Sequence, residues 1–187
     1  MEGLSRMAKK LFSEIPCLVG AGIALGPLTE ADACGLQDLV DDGLVYRYLP
    51  TFLFEKQFAD ARDAIARIYG EPYERKESLI LGVRETQTDT FCGLAEFYGL
   101  RDDVHKTSVG YRLRRCCWGR GVASRAVALM VGYLYGQTDI QIITASTMVE
   151  NVASARVLEK NGFIRTALAV DEDWGYDQPT IADKWFC

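Results

Sequence analysis

Residues 110–124 read GYRLRRCCWGRGVAS, and the fold is inferred outward from this stretch. The run Ser108 to Arg114 alternates, which predicts a β-strand with one face in the core and the other polar. Apolar residues at helical spacing then predict a helix from Val122 to Tyr135. Gly119 and Gly121 lie between the two, where missing β-carbons let a phosphate approach the free N–H groups of a helix N-terminus. The sequence therefore predicts an anion site at this junction.

Two nucleotide-binding motifs with similar glycines do not fit. A P-loop has Lys and then Ser or Thr after its last glycine, whereas Val122 and Ala123 follow Gly121 here. The dinucleotide fingerprint has a third glycine, where Ser124 stands, and an acidic residue about twenty positions later, where Gln141 stands. Both motifs are therefore excluded.

Positive charge is concentrated around the glycines. No acidic residue occurs between Asp103 and Asp139. The basic residues of this segment are Lys106, Arg112, Arg114, Arg115, Arg120 and Arg125. A solvated basic face is the ordinary interpretation of such a run. Because the run coincides with the glycines and the predicted helix start, we expect the basic residues to assist the anion site.

Composition narrows the class of protein. The chain has 187 residues, 49% of them hydrophobic, which predicts one domain over residues 1–187. Its net charge of −5 argues against nucleic acid or an anionic membrane as partner. The cysteines lack CxxC spacing and His105 is the single histidine, so we expect no metal, no disulfide framework and a cytoplasmic location. The apolar run Ile15 to Leu25 is interpreted as a first strand.

The remaining pattern predicts an α/β (α+β) architecture. The expected elements are helices over about 29–42 and 54–68, a hairpin of strands 78–84 and 91–98, a buried strand over 140–145 and a helix over 152–161. No repeat or composition break interrupts them. We therefore expect a mixed sheet packed by helices.

Two blocks of the sequence resemble the GNAT superfamily of N-acetyltransferases. The superfamily signature is Gln or Arg, two residues, Gly, one residue, then Gly or Ala, and Trp118 replaces its usual first residue. WGRGVAS, preceded by GYRL, is similar to the branch that includes ribosomal-protein N-terminal acetyltransferases. ENVASARVLEKNGF at 150–163 resembles the cofactor-side helix and following strand of that branch. Looser likeness at 27–32 and 47–50 extends the resemblance over most of the chain.

The resemblance implies a single-domain, mostly antiparallel mixed sheet, packed by helices on both faces and splayed between strands 108–114 and 140–145. It implies acetyl-coenzyme A as cosubstrate, with pantetheine in the opening and no metal. The implied cofactor-binding residues are Tyr111, Leu113 and Arg114 for pantetheine or the thioester carbonyl, Trp118, Gly119, Arg120, Gly121, Val122, Ala123 and Ser124 around the pyrophosphate, and Asn151 and Ser154 near the sulfur.

Catalytic residues are less visible in the sequence. Many superfamily members have a tyrosine at the position of Leu158 as the acid for the thiolate, so Ser154 or an ordered water is the expected substitute. Asn151 is also a preferred cap for the helix that follows it, and both roles can coexist. Glu96 is the expected general base, directly or through water, with a solvent-facing strand residue as the alternative.

The sequence predicts an enzyme that moves an acetyl group from acetyl-coenzyme A to a primary amine by direct attack in a ternary complex. The amine is a peptide or protein N-terminus or a small molecule such as a polyamine or antibiotic. A noncatalytic acyl-coenzyme A-binding module, or an interaction protein whose basic stretch binds an acidic partner, stays open. Acetyl-coenzyme A and the amine are the expected partners. Nucleic acid and membrane are not expected to bind, and the sequence leaves open whether the protein forms a homodimer.

Overall fold

The computed structural model describes residues 8–187, and residues 1–7 of the predicted domain lie outside the described residues. The strands are β1 (Leu18–Gly20), β2 (Ile23–Gly26), β3 (Ser78–Glu85), β4 (Thr90–Arg101), β5 (Lys106–Leu113), β6 (Ile142–Met148), β7 (Ile164–Glu172) and β8 (Thr180–Phe186). The helices are α1 (Ala33–Asp41), α2 (Gly43–Tyr46), α3 (Ala61–Arg67), α4 (Glu71–Glu74), α5 (Val122–Gln137) and α6 (Val152–Lys160). All eight strands form one sheet in the order β1-β2-β3-β4-β5-β6-β8-β7.

The sheet opens in its middle. Strands β5 and β6 are the one parallel pair among the described strands, and they pair only from Lys106 with Ile142 to Ser108 with Thr144. Beyond that point β5 follows β4 to Leu113, whereas β6 follows β8 to Met148. The predicted mixed, mostly antiparallel sheet, splayed between these two strands, is therefore confirmed.

Helices cover both faces of the sheet, as predicted. Alternating side chains of β3 and β4 supply a core on each face, because successive strand residues point to opposite sides. Leu81 and Phe97 pack on the face covered by α5, together with Met130. Ile80 and Leu94 pack on the opposite face, which α1 and α3 cover. Within residues 8–187 no helix is both long enough and apolar enough to cross a bilayer.

Two predicted elements differ from the structure. The first strand is a hairpin of β1 and β2, because Ala21 (φ 49°) and Gly22 (φ 79°) turn the chain. The helix expected over 54–68 is a 3-10 turn, Phe54–Gln57, followed by α3. Asp60 separates them, since its side chain accepts a hydrogen bond from the Arg62 N–H at 2.8 Å and caps α3. This break places Glu55 in a turn with a fully buried side chain.

A C-terminal hairpin of β7 and β8 completes the sheet; the resemblance implied a strand after α6, but the sequence did not indicate β8. Strand β8 lies between β6 and β7 and pairs antiparallel with both. The loop after β7 contacts the segment that follows α2: the Thr51 N–H donates to the Trp174 carbonyl at 2.9 Å, and the Tyr176 hydroxyl donates to the Leu49 carbonyl at 2.7 Å. These two loops form one border of the opening in the sheet.

Candidate active site

The splayed sheet contains a cleft of about 2020 Å³. Its lining comes from the glycine loop at residues 117–124, from one side of α6, and from residues 44–58, which we call the aromatic wall. Glu96 of β4 and Tyr111 of β5 also line it. The cleft therefore joins the predicted anion site and the predicted catalytic carboxylate in one space.

The glycine loop exposes its backbone to the cleft. Gly119 (φ 69°) and Gly121 (φ 73°) adopt the left-handed conformation that glycine tolerates best, and a β-carbon added to either would meet no atom within 4 Å. Helix α5 begins directly after Gly121, and no side chain caps it. Free N–H groups of its first turn are therefore available to an anion, and the open space beside the glycines fits a pyrophosphate.

Several basic side chains of this region form intramolecular ion pairs. Arg114 pairs with Asp38 at 2.6 Å, Arg120 with Glu85 at 2.6 Å, and Arg115 with Asp42. The expectation that the basic side chains assist the anion site stays a prediction. Backbone contacts from Arg114 and Arg120 also stay predictions, and the Arg114 N–H already donates to the Cys92 carbonyl at 2.8 Å. Arg156 and Lys160 of α6 also line the cleft, and no sequence pattern indicated them.

Trp118 is held against the preceding strand. Its indole Nε1 donates to the Leu113 carbonyl at 2.7 Å, while the ring remains 49% exposed. This bond fixes the start of the glycine loop relative to β5. It also occupies one of the two backbone groups that Leu113 could offer to pantetheine.

Asn151, Ser154 and Tyr111 meet across the opening of the sheet. The Asn151 Oδ1 accepts a hydrogen bond from the Ser154 N–H at 3.2 Å, so Asn151 caps α6. The Tyr111 hydroxyl donates to the Ser154 Oγ at 3.1 Å and links β5 to α6. Burial raises the pKa of Tyr111, and the hydrogen bond with Ser154 opposes that rise. Leu158 is 2% exposed in the core and offers no donor.

Glu96 belongs to a buried cluster of charges centred on Arg112. The Arg112 Nη1 donates to Glu96 at 2.6 Å, and its Nε and Nη2 donate to the two oxygens of Glu55 at 2.5 and 2.6 Å. The Ser78 hydroxyl donates to the other oxygen of Glu96 at 2.6 Å. Arg112 is 4% and Glu96 8% exposed. The expected polar face of β5 is therefore buried at Arg112, and the alternative of a solvent-facing Glu96 is wrong.

The electrostatics of the cluster favour charged partners. Burial opposes the positive charge of Arg112, but the carboxylates of Glu55 and Glu96 outweigh that cost and raise the pKa of the guanidinium above its ordinary value. Tyr46 donates its hydroxyl to Glu55 at 2.9 Å. Burial, and then the charge of Glu55, raises the pKa of Tyr46. Arg112 and Tyr46 therefore keep their protons near neutral pH.

A second carboxylate faces the cleft at Glu172, which forms an ion pair with Lys184. Its Oε2 is buried and has no hydrogen-bond partner within residues 8–187. Burial, followed by the charges of Glu96 and Glu172, raises the pKa of Tyr98, which also lines the cleft. The β7–β8 hairpin brings Glu172 to the cleft.

His105 and Cys116 lie away from this chemistry. His105 contacts Asp139 at 3.1 Å and does not line the cleft. Cys116 and Cys117 have sulfur atoms 3.8 Å apart, and burial raises the pKa of the Cys117 thiol. A thiol that is hard to ionise is a poor nucleophile, so packing is the role that this geometry favours.

Residues 23–164 match the family model of the acetyltransferase (GNAT) domain, which is most of the chain. The chain belongs to the GNAT family. The predicted family and fold class are thereby confirmed. At the level of the family, two further predictions are confirmed: the enzyme class, acyl-coenzyme A-dependent N-acetyltransferase, and the cosubstrate, acetyl-coenzyme A.

Several acetyltransferases are similar to this GNAT chain in sequence or in fold. It is 30% identical over 102 residues to the probable N-acetyltransferase YjcK of Bacillus subtilis, a match that covers 54% of this chain and 56% of that protein. RimL, a ribosomal L7/L12 alpha-N-protein acetyltransferase solved with coenzyme A, has a TM-score of 0.74 at 15% identity, over 92% of this chain and 97% of RimL. Spermidine N-acetyltransferase from Vibrio cholerae, solved with coenzyme A and spermine, has a TM-score of 0.73 at 16% identity, over 90% and 96%. These two structures share the fold.

Proposed function

We propose that this GNAT protein transfers the acetyl group of acetyl-coenzyme A to a primary amine by direct attack in a ternary complex. One observation carries the proposal: an open, uncapped helix N-terminus and a buried carboxylate with a fixed orientation line the same cleft. The first suits a pyrophosphate and the second suits an amine that must lose a proton. A single cleft thus has sites for both substrates.

The cofactor side of the proposal rests on the backbone. Acetyl-coenzyme A supplies the acetyl group as an activated thioester. The N–H groups of Arg120, Gly121, Val122 and Ala123 would hold its pyrophosphate, with Gly119 and Ser124 beside them. The backbone of Tyr111 and the N–H of Leu113 would hold pantetheine along β5, with Arg114 beside them, in the opening that β6 leaves.

Glu96 is the proposed proton acceptor on the amine side. Arg112 and Ser78 each hold one of its oxygens, which fixes the plane of the carboxylate. Glu55 satisfies the rest of the guanidinium, so Arg112 is not dependent on Glu96 alone for its counter-ion. Glu96 can therefore accept a proton from an ammonium group, directly or through water, without leaving Arg112 unpaired.

Ser154 is the proposed donor to the departing thiolate. Its Oγ accepts from Tyr111, which leaves the serine hydroxyl hydrogen free to point toward a sulfur in the opening. Asn151 fixes the backbone of the same residue through the cap of α6. Tyr111 is thus a positioning residue, and it compensates in part for the leucine at position 158.

The main alternative is a module that binds acyl-coenzyme A without turning it over. The missing tyrosine at Leu158 favours that alternative. The Glu55–Arg112–Glu96 cluster argues against it, because a binding module has no use for a buried, oriented carboxylate on the acceptor side of the cleft. We therefore regard catalysis as the better explanation of the site.

Binding and transfer can be measured separately. Saturation with coenzyme A at about a hundred times its dissociation constant should add roughly 2.7 kcal/mol to the free energy of unfolding, visible as a higher melting temperature. Release of free thiol from acetyl-coenzyme A should then require an amine. A thermal shift without amine-dependent thiol release would support the binding module, and the absence of both would contradict the cofactor site.

A further inference from the structure

The aromatic wall presents uncovered apolar surface to the cleft. The apolar residues of the wall that line it include Leu44, Tyr48, Leu49, Phe52, Leu53 and Phe54. Phe52 is 58% and Leu44 53% exposed, although both side chains are large and apolar. Trp174 faces the same cleft from the loop after β7. Exposed apolar surface inside a concave site indicates the chemistry of the ligand that covers it.

The wall adjoins the catalytic carboxylate directly. Glu55 belongs to the wall, and the guanidinium of Arg112 bridges Glu55 to Glu96. Glu96 and the apolar residues of the wall also line one cleft, so a molecule with its nitrogen at Glu96 shares that space with the wall. The wall and the charge cluster thus act on the same ligand.

The buried cluster has an excess negative charge, because Glu55 and Glu96 carry two negative charges against the single positive charge of Arg112. Glu172 is balanced by Lys184. The wall itself already holds cations: Arg47 lies over the ring of Tyr48, at 5.1 Å, and Arg67 over the ring of Phe58, at 5.8 Å. Further cationic groups of a ligand that lie against the wall would meet apolar surface or these arginines, which is unfavourable. The carboxylates of Glu77 and Asp173, which form no ion pair within residues 8–187, also line the cleft.

We infer that the acceptor is a primary amine with an apolar or aromatic group beside the nitrogen. The inference rests on the proposed function and narrows it. A polyamine carries further ammonium groups along its chain, and those that lie against the wall would lose their hydration. An arylalkylamine and a peptide whose first residue is apolar share the required chemistry.

The test compares kcat/KM for four amines by thiol release from acetyl-coenzyme A: 2-phenylethylamine, ethylamine, spermidine and a tripeptide that begins with phenylalanine. We expect 2-phenylethylamine or the tripeptide to exceed ethylamine by at least about tenfold, because each apolar contact in such a pocket is worth about tenfold or more. The comparison of these two identifies the source of the amine. Equal or faster turnover of spermidine overturns the inference alone, whereas no release with any amine overturns the proposed function as well.

A pair of variants locates the preference on the wall. Phe52→Ser should remove most of the advantage of the aromatic amine over ethylamine without changing coenzyme A affinity. Val19→Ser, at a site 71% exposed and outside the cleft, is the matched control and should retain the advantage. Leu44→Ser repeats the test if Phe52→Ser does not fold. An unchanged preference in folded wall variants overturns the inference.

Discussion

The glycine loop and the Arg112 cluster line the same cleft but present different groups to it. The loop presents backbone N–H groups, and its aromatic side chain, Trp118, is turned back onto the Leu113 carbonyl. The cluster presents the side chains of Glu96 of β4 and Arg112 of β5, and the fully buried Glu55 of the aromatic wall pairs with Arg112. A backbone site tolerates changes of side chain, whereas a buried ion cluster depends on each member. The two regions should therefore respond very differently to mutation.

The largest effect is expected at Arg112. Removing the central cation leaves two buried carboxylates without their partner, so Arg112→Met should lower the free energy of unfolding by about 3–5 kcal/mol in a urea titration. The double variant Glu55→Met/Arg112→Met should recover most of that loss. Arg84→Met, which breaks the pair with Asp32 outside the cleft, should also destabilise the protein but leave the turnover of the folded fraction unchanged. An Arg112→Met protein as stable as the parent would contradict the cluster.

The corresponding test of the loop is Gly121→Val. A branched side chain would fill the open space beside the first turn of α5, and the loss of two charge-assisted hydrogen bonds predicts at least about a hundredfold weaker coenzyme A binding by calorimetry. Gly162→Val is the matched control, because Gly162 also has a positive φ (82°) and open surroundings but lies outside the cleft. Equal affinities in the two variants would refute the assignment of the loop.

These two regions also differ in how well the sequence predicts them. The glycine loop, the strand before it and the helix after it are contiguous, so spacing alone predicted β5 and α5, and the resemblance to the GNAT superfamily implied the splay beside β5. Arg112 contacts Glu55, 57 positions away in the sequence, and Glu96, 16 positions away, and no local sequence pattern pairs these residues. The break at Asp60 that turns Glu55 inward and the β7–β8 hairpin that brings Glu172 to the cleft were missed for the same reason. Local periodicity cannot report a contact made by tertiary packing.

The proposed protonation of the departing thiolate depends on Ser154. Ser154→Ala should lower kcat by on the order of 10²-fold with coenzyme A affinity nearly intact, the low end for losing one positioned acid. Tyr111→Phe should lower kcat in the same direction by less, because it acts only through Ser154. Tyr133→Phe removes a buried hydroxyl that has no partner within residues 8–187 and should turn over like the parent. A Ser154→Ala enzyme with parental kcat would place the proton donor elsewhere.

The smallest effect is expected for the cap at Asn151. Asn151→Ala removes the acceptor for the Ser154 N–H, which should cost about 1 kcal/mol of stability in a thermal melt. If Asn151 also contacts the cofactor, the Asn151→Ala variant should bind coenzyme A more weakly as well. A stability loss with unchanged affinity would limit Asn151 to its capping role.

The most direct test of the account is the Glu96→Gln variant. Glutamine keeps the shape and the acceptor for Arg112 but cannot take a proton from the amine, so kcat should fall by about 10²-fold or more while coenzyme A affinity stays at the parental value. That result would establish one cleft with a backbone site for the cofactor and a carboxylate for the amine. Parental turnover in a folded Glu96→Gln protein would contradict it.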